Sequence, residues 1–88
     1  MSYSDLAEAI IQKEKGVMGD AALKAPRDAG IDVEDDGEII KIEGDEREAV
    51  QKMVEKYHSY TGEVAVNLAK KASEDVDTEG LELPEILK

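Results

Sequence analysis

The chain has 88 residues, with 22 acids against 11 bases and a formal net charge of −11. Three Tyr are its only aromatic residues, it lacks Cys, and it carries one His. Those facts exclude a disulfide framework, a thiolate zinc site and a His-rich metal site, and the charge opposes nucleic acid and anionic membranes, which need a cationic footprint.

A chain this short makes one domain, residues 1–88, and buries only about 60–65 % of the surface its unfolded form exposes. Its core must come from Ile, Leu, Val, Ala and Met. No apolar run is long enough to span a bilayer. Met1-Ser2-Tyr3-Ser4 has neither the basic nor the apolar region of a signal peptide, so the expected place is the cytoplasm. The excess of acid favours divalent cations and basic protein partners.

Residues 4–15, SDLAEAIIQKEK, are predicted to form a first helix. Ser4 is the N-cap, Asp5 and Glu8 meet the positive end of the helix dipole, and Gly16 is the stop. Leu6, Ala9, Ile10 and the stem of Lys13 make its buried stripe. Asp20 caps a short helix over residues 21–24. Pro26 lacks an N–H and disfavours helix at Ala25, so a break or a restart is expected there.

Ile31–Glu34 and Ile39–Glu43 are runs with β-branched residues, separated by Asp35-Asp36-Gly37-Glu38. An Asp-Gly pair between such runs signals a hairpin, because both residues tolerate the positive φ of the turn. Strict alternation puts Ile40 and Ile42 on one face, Ile39 and Lys41 on the other. Two strands alone are marginal in water, so the hairpin must lean on helices.

Asp45-Glu46-Arg47-Glu48 has the spacing of a capping box. Val50, Met53, Val54 and Tyr57 then recur at helical spacing until Gly62. A further helix runs from about residue 62 to residue 73, with Val64, Ala65, Leu68, Ala69 and Ala72 as its apolar side. Residues 74–88 are acidic and carry Gly80 and Pro84, yet Leu81, Leu83, Ile86 and Leu87 are too apolar for a plain tail. They make an edge strand on the hairpin, a lid, or a segment that docks a partner. The expected fold is α+β: one small domain of three to four helices packed on a β-hairpin, with a third strand open to the tail.

The candidate site is the acidic turn. Asp35, Asp36 and Glu38, with Asp32, concentrate carboxylate oxygens, and hydroxyls of Ser59 and Thr61 from the loop around Tyr60 can complete an oxygen shell. A hard divalent ion, calcium first, is the ligand such a set would hold, weakly. Residues 32–43 resemble an EF-hand loop: Asp32, Glu34, Asp36, Gly37, Ile39 and Glu43 fall at the places of its oxygen ligands, glycine, apolar residue and final glutamate. The strand pattern of Ile40, Lys41 and Ile42 departs from it, since an EF-hand has begun its exit helix there.

Two further resemblances follow. Gly16-Val17-Met18-Gly19 with the strand–strand–helix pattern of residues 29–54 is similar to half of a KH domain, which implies single-stranded RNA as ligand. Asp20 after the GxxG and the net charge oppose that. In size, layout and acidic loop the chain also resembles small acidic archaeal α+β proteins with a cation-responsive pocket. His58, beside Tyr57 and Tyr60, reads as a helix-end imidazole.

No nucleophile, base and orienting group stand in a catalytic pattern. The expected function is therefore a small non-enzymatic binding protein with a cation site at the turn. The alternative is a protein-interaction module using Leu81, Leu83, Ile86 and Leu87, and a KH-like nucleic-acid binder is the lesser one.

Overall fold

A capping box opens α1 (Tyr3–Met18) in the computed structural model, which describes residues 2–88. The Asp5 N–H donates to the Ser2 hydroxyl at 3.2 Å, and the Ser2 N–H donates to the Asp5 carboxylate at 3.1 Å. Two donors that a helix leaves open at its start are thereby satisfied. Ser2 rather than Ser4 is the cap, Gly16 lies inside the helix, and Gly19 closes it. The buried stripe is Leu6, Ala7, Ile10, Ile11 and Glu14, while Lys13 turns outward to Asp75 at 3.0 Å.

A 3₁₀ turn over Gly19–Leu23 leads straight into α2 (Lys24–Asp28). Of the two expected outcomes at Pro26 it is the restart that occurs, two residues earlier, at Lys24. Proline is the third residue of this helix, where a backbone N–H lacks an intrahelical acceptor anyway.

The hairpin pairs β1 (Ile31–Val33) with β2 (Ile39–Ile42), antiparallel. Asp32 faces Lys41, but Val33 faces Ile39, so β2 carries one extra residue, Ile40. This bulge overrides the expected alternation. Ile39 and Ile42 both pack against the core, and Ile40 is left outside with Lys41.

Asp45 caps α3 (Glu46–Thr61) by accepting the Glu48 N–H at 2.9 Å. Gly62, at φ 67°, makes the corner into α4 (Glu63–Asp75), a backbone angle that costs glycine little. The buried side of α4 is Ala65, Val66, Ala69, Ala72 and Ser73, whereas Val64 is exposed. Ala65, Ala69 and Ala72 are buried on the expected face of α4, which packs against α1, while Val66 and Ser73 are buried in place of Val64. Between these helices lie Leu6, Ile10, Ile11, Val50, Met53, Val54 and Tyr57, all fully buried. Each such side chain contributes about 1.5–3 kcal/mol.

The tail adds no third strand; among the described residues the sheet has two. Side chains of α1 and α3 hold its backbone instead. Tyr3 donates its hydroxyl to the Glu82 carbonyl at 2.6 Å, and Arg47 donates to the Leu83 carbonyl at 3.1 Å. The Gln51 side-chain carbonyl accepts the Ile86 N–H at 2.8 Å. Leu87 is buried in a short 3₁₀ turn, and Leu83 and Ile86 pack on the core. No helix among the described residues is long and apolar enough to cross a membrane.

Candidate functional site

The acidic turn is closed by its own backbone. The Gly37 N–H donates to the Glu34 carbonyl at 2.9 Å and the Glu34 N–H to the Glu38 carbonyl at 2.8 Å. That is a three-residue hairpin loop with glycine at positive φ, here 91°. Asp36 Oδ1 accepts the Glu38 N–H at 2.9 Å, and Asp35 Oδ1 lies 3.3 Å from Arg27 Nη2. The turn is lashed to α1 from below: Gln12 donates to the Asp36 carbonyl at 3.0 Å and Lys15 to the Asp35 carbonyl at 3.4 Å.

These contacts engage one carboxylate oxygen each of Asp35 and Asp36 and both of their carbonyls in turn chemistry and docking. Asp32 stands on the outer face of the hairpin opposite Lys41. Ser59 donates its hydroxyl back to the Lys56 carbonyl and faces a cavity of about 330 Å³ with Ala25, Asp28, Lys52 and Glu55. Thr61 is the last residue of α3. Among the described residues no three His, Asp or Glu side chains are placed together to hold a metal ion. Glu43 pairs with Lys41 at 3.0 Å at the far end of β2, so the EF-hand likeness stops at the sequence pattern. Gly16–Gly19 occupies the last turn and cap of α1 rather than a loop between helices, as a KH clamp needs. His58 Nε2 lies 3.5 Å from Glu63 Oε1 across the Gly62 corner.

Two residues that carry no motif stand out. The first is Ile40, 61 % exposed at the bulge. Exposed Asp32, Glu34, Lys41 and Glu43 share its hairpin, and Glu43 holds the Lys41 ammonium above the ordinary lysine range by a hydrogen bond and by its charge. The edges of the sheet are plugged: Arg27 Nη2 donates to the Val33 carbonyl at 3.1 Å, and Glu8 Oε1 accepts the Ile39 N–H at 3.3 Å. The outer face is therefore open while both edges are guarded. The signal in the sequence was the run Ile39-Ile40-Lys41-Ile42, whose first and last isoleucines, three residues apart, cannot both face inward without a bulge.

The second is Glu14. It is fully buried, and neither carboxylate oxygen has a hydrogen-bond partner. Burial pushes its carboxyl up to about 7. Its spacing from Ile10 and Ile11 already places it on the apolar stripe of α1. No family model, curated protein or solved structure matches this chain.

Proposed function

We propose that the chain is a small non-enzymatic binding module whose outer hairpin face takes a basic, extended segment of a protein partner. The observation that carries this reading is Ile40, a large apolar side chain held outward by a bulge amid Asp32, Glu34 and Glu43. An exposed apolar anchor whose charged neighbours are three acids and one base, Lys41, itself paired with Glu43, suits a ligand that is basic on balance. The net charge of −11 supports the same choice by steering cationic partners inward. The segment binds across the face, since Arg27 and Glu8 guard the edges against strand addition.

The test is an amide-resolved NMR titration with a peptide that alternates lysine and isoleucine. Shifts concentrated on residues 31–43, weakened by salt and lost in Ile40→Ser, support the reading. Shifts spread evenly over the surface, or unchanged by that substitution, end it. A parallel CaCl₂ titration addresses the cation alternative: an ion held by Asp35, Asp36 and Glu38 moves amides 34–39 beyond a matched NaCl control.

A further inference from the structure

Among the described residues, Glu14 is the one whose buried side-chain oxygens have no hydrogen-bond partner. Its two oxygens are buried and unbonded, and a charge placed there has no partner. The lysines on either side are turned elsewhere, Lys13 to Asp75 and Lys15 to the Asp35 carbonyl. α1 packs against α3, α4, β2 and the 3₁₀ turn. The buried sides of α4 and the 3₁₀ turn carry only Ala, Val, Leu and Ser, and β2 offers Ile39 and Ile42. Tyr57 of α3 is thus the titratable group that the core presents, and its phenol is pushed up by burial, by Glu14 and by Tyr60.

We propose that Glu14 is a proton-operated latch, which when neutral lets α1 lie against α3 and the 3₁₀ turn and when ionised loosens that contact. Three features meet at this point. The Tyr57 hydroxyl is committed to the Ala22 carbonyl, so no O–H is left to donate to the Glu14 anion. Gln12 and Lys15, which bracket Glu14 on α1, hold the hairpin turn. Loosening this stretch therefore reaches the turn as well as the core. Burial raises the carboxyl to about 7, which sets the latch to change state near neutrality. The latch stands without the docking reading, because its test uses the chain alone.

The experiment follows the Glu14 side-chain carboxyl carbon by NMR across the pH range, with amide hydrogen exchange corrected for intrinsic rates. The expected midpoint for Glu14 lies far above those of the exposed glutamates. Protection of amides 14–23 falls by about tenfold or more, relative to central α3, as the carboxyl ionises over more than one pH unit. In Glu14→Gln that protection stays constant with pH. A midpoint in the ordinary glutamate range overturns the proposal, as does the same loss of protection in Glu14→Gln. Should Glu14→Gln not fold, the unsubstituted chain decides: protection that stays flat across the measured midpoint overturns the latch.

Discussion

The Tyr57 hydroxyl donates to the Ala22 carbonyl at 2.6 Å, a buried bond between residues 35 apart that ties α3 to the 3₁₀ turn. The turn's backbone has no water to fall back on there, so this side chain completes the accounting of a segment that lies outside regular helix. Tyr57→Phe keeps the ring and removes the donor. The expected cost is about 1–3 kcal/mol, the penalty for leaving one buried acceptor unpaired. Urea unfolding measures it, and a change below a few tenths means that the bond is not formed in solution.

Gly37 is required twice over. Its φ of 91° is strained for any other L residue, and a Cβ there meets Gln12 Nε2 at 2.7 Å and Ile11 Cγ2 at 3.3 Å. Gln12 can swing aside, but it then gives up the Asp36 carbonyl. Gly37→Ala is expected to lower stability by about 1–3 kcal/mol and to shift the amides of the turn. Gly16→Ala, inside α1 with open space around it, is the control and should stabilise by about 0.5–1 kcal/mol.

Glu14 gives stability a pH dependence of definite sign. Its carboxyl rests at about 7 in the folded chain, against an ordinary value of 4.5. Between those values the folded state keeps a proton that the unfolded state has lost, so stability falls as pH rises through the window and levels off above it. Across the window the loss from this group reaches about 3 kcal/mol. Glu14→Met removes that slope: the variant gains most above neutrality and less in acid, where it relieves only the cost of a neutral, unpaired carboxyl. Chemical denaturation at several pH values reads this directly, and parallel profiles for the two proteins contradict it.

The tail is structural in its contacts. Deleting residues 76–88 removes Leu83, Pro84, Ile86 and Leu87 from the core and leaves Tyr3, Arg47 and Gln51 without their backbone partners. The expected result is loss of cooperative unfolding. For a single substitution, Leu87→Ala should cost about 2–4 kcal/mol. A truncated chain that still melts sharply returns Leu81, Leu83, Ile86 and Leu87 to the role of a docking peptide.

Local chemistry made several features readable. The Asp-Gly pair announced the hairpin, the Asp45-to-Glu48 spacing announced the start of α3, and Gly62 announced its end. Each is a short-range backbone requirement, met by a residue and its near neighbours. Position within an element and long-range packing decide the rest. Val64 falls at the margin of the apolar side of α4, and the packing of α1 and α3 buries Val66 and leaves Val64 in solvent. Pro26 marks a helix restart rather than a break, because in the first turn of α2 its missing N–H costs nothing. The candidate cation site split for the same reason: Asp35 and Asp36 share a turn by sequence, whereas Ser59 faces another cavity because α3 carries it there.

The sequence by itself determined a small α+β chain rich in acid, with a hairpin at Gly37 and a well-capped helix after it, because turn and cap preferences act over a few bonds. Only the tertiary structure decided what the acidic stretch faces. Gln12, Lys15 and Arg27 reach the turn from other elements, and the bulge at Ile40 sets which isoleucine stays in water. It also decided that Glu14 is sealed in the core: spacing sets this side chain on the stripe of α1, but only the elements packed over that stripe take its carboxyl out of water.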